Sequence, residues 1–450
     1  MKNLLSLVLL SVLFFGCKKD YNHGNGNGNS QGKNYTGFIY TSTNSTSGNA
    51  IIALGRHRDG TLEEIQGSPF PTGAAGDAAE GDFDTQWALR IVGDYLLAVN
   101  AGSNPVNGSI SVFKINKANG KLDQVDQNPS TPATDNIDSR GVRSVSLAAK
   151  DIGDKTWIVV GNQFANPNYQ KDPPVAFGSV MSSNLRNLAV FTFDKTSGLL
   201  YFKNIGDTYN DGSHGGPCTV EFNSDGSKLA VSTWGVSHFD TPDVDLKLQK
   251  PGRLYIYNFS SGNLTQSGLY EEKGVSGNIG LSWSPNNQYI YLANFNLHSS
   301  KEGNSLTVHD GTTAAKVQNF PTGKRNDEAC WTWVSLDKQK LFVASFTGNV
   351  VSSFDINADN LLSVSLNPSY FSRRGVPPID TKDMHETSDG YLFVSGAFQS
   401  HAITTFRRLP NGALSEISNS PYAVPSVAGK THDEVSFLGL TGFDKNDLYK

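Results

Sequence analysis

Apolar and polar residues alternate with a period of two through most of this chain, and glycine-bearing turns cut the alternation into short runs. Seven runs rich in Val, Ile, Phe and Tyr share one form, most of them closed by a Gly-Xaa-Leu or related turn. They are Asn49–Leu62, Gly108–Leu122, Asn187–Leu199, Gly252–Leu264, Asn304–Asp310, Asn349–Leu361 and Ala402–Leu414. Such alternation reads as half-buried antiparallel strand and hairpin turn. A second form precedes six of them: an apolar strand, a turn resembling Ser-Xaa-Asp-Gly, and another apolar strand. Pro217–Ser232, Ile279–Asn294, Cys330–Ser345 and Met384–Gly396 are its clear members, and Gln86–Asn100 and Val142–Asn162 are less regular copies.

The starts of this second form lie about 50–75 residues apart, the spacing of four-stranded propeller blades with loop insertions. The first unit, from Phe38, lacks its leading strand. Glu434–Thr441 near the C-terminus offers one, and pairing it with the N-terminal strands closes the ring and removes a bare sheet edge. The fold expected is therefore all-β: a seven-bladed propeller of four-stranded antiparallel blades over residues 35–450. Aligning the turns places Cys218 and Cys330 at equivalent positions of blades four and six. That separation exceeds the ~7 Å Cα limit for a disulfide, so both are expected as buried thiols.

Composition agrees with a globular, turn-rich protein: 37% hydrophobic residues, 18% charged and 45 glycines. The formal charge of −5 gives no basic stripe for nucleic acid and no polybasic patch for anionic lipid.

The first seventeen residues add a location. Met1–Lys2 is followed by an apolar run from Leu4 to Phe15 and then Gly16-Cys17. Roughly a dozen apolar residues suit the core of a signal peptide better than a membrane span. A small residue followed by Cys at the end of that core resembles the lipobox of bacterial lipoproteins. The resemblance implies a signal peptide over 1–16, cleavage before Cys17, and acylation of that cysteine. Lys18–Lys33, with alternating Gly and Asn, reads as a flexible tether within 17–34. Lys18 directly after the cysteine favours the outer membrane by the rules of such lipoproteins, and Asp20 leaves both the periplasmic and the surface face open. The partners expected are the membrane through the anchor and a small lactone or glycan; nucleic acid is not expected, and a monomer is.

Several stretches of the propeller are similar to the seven-bladed lactonase-like family, which includes bacterial propeller-type 6-phosphogluconolactonases and fungal carboxymuconate cyclases. They are Asn100-Ala101-Gly102-Ser103-Asn104, Ile110-Ser111-Val112-Phe113 with Gly120-Lys121-Leu122, Gly216-Pro217 before Phe222, and Ala329-Cys330-Trp331 followed by Leu341-Phe342-Val343-Ala344. The resemblance implies hydrolysis or formation of a lactone of a sugar or aromatic acid. One departure matters. Where phosphogluconolactonase-like members carry a Gly-Pro-Arg-His type motif, this chain has Gly216-Pro217-Cys218-Thr219. The missing Arg and His, and the location outside the cytoplasm, argue against a phosphosugar substrate. A non-catalytic propeller that binds a glycan or protein is the competing class.

Polar groups gather where the chain arrives at the first strand of each blade. They are Asp82 and Asp84, Arg140 and Arg143, His214 with Glu221, Arg325, Asp327 and Glu328, Asp383, His385 and Glu386, and His432, Asp433 and Glu434. Lactone hydrolysis needs a base near neutral pKa, which suits His385 or His432. It needs a cation for the developing oxyanion or a substrate carboxylate, which suits Arg143 or Arg325. Glu328 or Glu386 would orient the histidine. The same groups would serve equally as ion pairs capping the channel. No resident cofactor is indicated. A divalent ion such as calcium would have to draw on His385-Glu386 and His432-Asp433-Glu434, of which only alternate residues share a face. Trp87, Trp283, Trp331 and Trp333 fall on or near first strands, where their rings would suit stacking on a sugar, but large aromatics are ordinary blade-packing material and are read as core. The insertion 165–186 is long enough to be a lid or simply a loop.

Overall fold

Seven antiparallel sheets of four or five strands follow one another along the chain, as the repeat predicts. The computed structural model describes residues 34–78, 85–102, 106–164, 186–209, 215–235, 251–275, 277–295, 304–322, 328–365 and 370–446. Cys17, the tether, Asp82, Asp84, His214, Arg325, Asp327 and positions 165–185 of the insertion lie outside them.

Blades two to seven start at inner strands Leu89–Val92, Ser144–Ile152, Pro217–Phe222, Gly277–Trp283, Ala329–Val334 and Thr381–Glu386. Blade one takes its inner strand, Leu438–Asp444, from the C-terminus. It pairs antiparallel with Gly37–Ser42, in a register that sets Phe38 opposite Phe443 and Gly37 opposite Asp444. The expected closure is thus present, four residues later than its apolar pattern suggested.

The blades are hairpins because their turns permit little else. In each first hairpin one residue is left-handed: Gly93, Gly153, Gly226, Asn287, Lys338 and Gly390 have φ between 61° and 86°. Glycine meets that need without a steric cost. At Gly226 space enforces it too, since a Cβ would fall 2.6 Å from the Ile152 side chain of the preceding blade.

Alternate side chains of each strand face the neighbouring sheet, so the core is a ring of inter-blade layers. Leu97, Val99, Ile110 and Val112 of blade two meet Leu147, Ile158 and Val160 of blade three, all buried. Tyr291, Leu306 and Val308 of blade five meet Leu341, Val343 and Phe354 of blade six in the same way. Each such side chain contributes about 1.5–3 kcal/mol on leaving water. Cys218 and Cys330 are buried thiols, as the alignment required.

Candidate functional site

The axial channel is occupied by the protein's own chain. Thr85, Gln86 and Trp87, leading into the short inner strand of blade two, cross it and bond to the inner strands around it. Thr85 Oγ1 donates to the carbonyls of Val145 (3.0 Å) and Cys218. Trp331 Nε1 donates to Thr85 O at 2.8 Å. The Gln86 amide donates to Thr219 Oγ1 (3.2 Å), and its side chain donates to Thr332 O (2.5 Å). Ser146 Oγ donates to Gln86 O at 2.6 Å, and Leu147 N to Trp87 O at 2.9 Å. Blade five approaches so closely that a Cβ on Gly280 would sit 2.6 Å from Gln86 Oε1. Trp87 adopts φ 67° to make the crossing, a conformation that bulky residues hold only when their surroundings fix it.

This plug separates two mouths. At the upper mouth, where the chain arrives at the inner strands, Arg143 donates to Asp77 Oδ2 at 2.7 Å, and both are buried. Lys382, also buried, reaches Ser436 Oγ at 3.3 Å. His432 is half exposed, with Nε2 2.9 Å from Asp433 Oδ1 and its ring 4.6 Å from that of Phe398. Glu434 lies beside them but turns to Lys430 and Thr431, and these hydrogen bonds lower its pKa. Glu328, with φ 51°, starts blade six and accepts the Phe346 amide on its carbonyl. Arg140 lies over the Phe202 ring at 4.8 Å, on the flank of blade three.

The other candidates stand elsewhere. His385 and Glu386 come at the end of their inner strand, roughly 13 Å below its start at 3.3 Å per residue. They belong to the lower mouth. Successive side chains of a strand take opposite faces, so the two diverge. His385 packs edge-on against Trp333 at 5.5 Å, and burial pushes its pKa down to about 4. Glu386 pairs with Arg408 Nε at 2.9 Å and accepts the Leu336 amide at 2.7 Å, a buried carboxylate binding blade six to blade seven. Glu221, which the sequence groups with His214, is also at the lower end and pairs with Arg90. The structure therefore does not bring Arg143, His385, His432 and Glu386 into one pocket. Among the described residues no group of three or more His, Cys, Asp or Glu is placed to hold a metal ion.

Two groups at the axis were not legible as a pair. Asp383 receives the Trp87 amide at 3.5 Å and the Met384 amide at 2.9 Å. Burial raises it to about 7, against the opposing pull of nearby Arg90. Arg90 stacks 3.8 Å from the Trp87 ring centroid and donates through Nε to Leu147 O at 3.1 Å. Arg90 stands three residues after Trp87 in an irregular repeat copy, which was the available signal.

No family model matches the chain, and no curated protein matches it. Solved structures do share its fold. A Bacteroides fragilis protein provisionally named a 6-phosphogluconolactonase is 15% identical, with a TM-score of 0.60 over 91% of this chain and 98% of that one. The Pseudomonas aeruginosa periplasmic gluconolactonase PpgL is 15% identical, with a TM-score of 0.58 over 89% of this chain and 99% of that one. A Lactobacillus plantarum protein is 16% identical, with a TM-score of 0.60 over 90% and 99%. The chain thus has the seven-bladed propeller fold of lactonase-like proteins, over nearly the whole length of each.

Proposed function

We propose that this chain is an envelope lipoprotein, acylated at Cys17, whose propeller hydrolyses or forms a lactone of a sugar or aromatic acid at its upper mouth. The observation that carries the reading is the shared fold with a periplasmic gluconolactonase over nine-tenths of this chain. The upper mouth holds parts that suit the reaction. His432 is accessible as a base, Arg143 is a candidate cation, and Glu328 is a candidate orienting group; Arg325, the other cation the sequence offers, lies outside the described residues. His385 is less suited than His432, because desolvation of its half-buried imidazole lowers its pKa to about 4 and it stands beyond the plug.

The test is acid release from a panel of sugar and aromatic lactones, followed by pH-stat with the protein from Tyr35 onward. Turnover is expected, and His432→Ala is expected to lower kcat by about 10²-fold or more with an unchanged melting temperature, because general-base catalysis is worth that much. A folded protein with no turnover on any lactone overturns the reading. A second reading, a non-catalytic propeller that binds a glycan or protein, is favoured by one observation: Arg143 is already engaged by Asp77.

A further inference from the structure

The lower mouth holds a cavity of about 340 Å³ that the lactone reading does not use. Trp87, Trp283 and Trp333 line it, together with Glu221, Lys150 and Lys338. Two of the indoles are held by hydrogen bonds. Trp283 Nε1 donates to Glu221 O at 3.1 Å, and Trp333 Nε1 to Glu386 Oε2 at 3.4 Å. Trp87 and Trp333 meet at 5.5 Å between centroids, and Arg90 lies over the Trp87 ring. Rigid aromatic faces of this kind lose little entropy when a flat apolar face stacks on them.

Charge decides what else the occupant carries. Glu221 is neutralised by its ion pair with Arg90. Lys150 and Lys338 form no salt bridge among the described residues, so the wall carries a net positive charge. The first-hairpin turns add amides at Asn223 and Asn287. Indole platforms suit the C–H face of a pyranose, amides suit its hydroxyls, and the two ammonium groups suit a carboxylate. The volume lies at the small end of ligand cavities and fits about one ring.

We infer that the lower mouth is a binding site for an acidic pyranose, a uronic acid either free or at the end of a polysaccharide. Arg90 and Glu221 position the stacking ring of Trp87, and Lys150 and Lys338 select the carboxylate. The site lies across the plug from the upper mouth and stands whether or not lactones are turned over there.

Tryptophan fluorescence and calorimetry test it, with glucuronate, a galacturonic acid trimer, glucose and benzoate as probes. Glucuronate or the trimer is expected to give a saturable change, and tighter binding of the trimer would identify a polysaccharide end as the source. The variant Lys150→Gln/Lys338→Gln is expected to bind the acidic sugar about tenfold more weakly, equivalent to about 1.4 kcal/mol, with unchanged folding because both side chains reach solvent. Trp333→Phe is expected to shrink the fluorescence change and weaken binding as well. The inference is overturned by no saturable response to either acidic sugar. It is equally overturned by equal affinity for glucose, by tighter binding of benzoate, or by affinity that the lysine variant leaves unchanged.

Discussion

Asp444→Ala lowers the unfolding free energy by about 3–5 kcal/mol, whereas Asp389→Ala, which removes the other carboxylate on the same arginine, costs less than about 1 kcal/mol. The arginine is Arg56, on the third strand of blade one, 2% exposed and paired with both. Asp444 belongs to the closing strand and is almost as buried. Its second oxygen accepts the Ser388 amide at 2.7 Å and the Ser388 hydroxyl at 2.8 Å. One carboxylate therefore ties the closing strand to the rest of blade one and to the first turn of blade seven. Removing it strips a buried guanidinium of its buried partner and leaves the Ser388 amide unmet. Asp389 is 41% exposed, and water replaces it at little cost. Urea denaturation of both variants at neutral pH checks this, and equal midpoints would sink it. Arg56→Met/Asp444→Leu is expected to recover much of the loss, because an apolar pair needs no desolvation of charge.

The propeller was legible because its cause is local. Period-two alternation sets which side chains face the next blade, and left-handed turn residues set where each hairpin folds back. The alternation repeats in seven blades and the first-hairpin turn in six, so one weak copy is corrected by the others. Closure was legible for the same reason: a missing strand at one end and a spare at the other have one economical solution. The site was less legible because alternation gives a residue's face but not its depth. An inner strand of six residues is about 20 Å long, so Asp383, His385 and Glu386 read as one cluster while reaching different levels and sides. The plug escaped notice for a further reason. Thr85-Gln86-Trp87 looks like an ordinary strand start, and its bonds go to residues that are 60 to 296 positions away. The only trace was the irregular repeat copy at Gln86–Asn100, whose inner strand is just four residues long. The tryptophans show the same division: Trp331 is buried core bonded to Thr85, while Trp333, two residues on, lines the lower cavity.

Asp383→Asn makes the protein more stable at alkaline pH and leaves it nearly unchanged under acid conditions. Burial raises the Asp383 carboxyl from 3.8 to about 7. The unfolded chain ionises this group from about pH 4 upward, while the folded protein keeps it protonated until about pH 7. The stability that the neutral carboxyl allows is present in full below the unfolded pKa. It is lost progressively as pH rises, and the loss is complete above the folded value. A rise of this size corresponds to roughly 4 kcal/mol as a ceiling. Asparagine carries no charge to desolvate, so the gain of the variant should grow from about pH 4 and level off by about pH 8. Two desolvated histidines pull the other way. His385 and His309 are both lowered to about 4 by burial, so their contribution is present above their ordinary 6.5 and lost as pH falls towards 4. That loss is common to both proteins and cancels in the difference. Melting temperatures of the pair measured across this range decide the matter. A difference that does not change with pH would mean that the carboxyl ionises as readily in the fold as in water. The plug would then not be what keeps Asp383 dry, although Trp87 reaches it through its amide and Arg90 stands beside it.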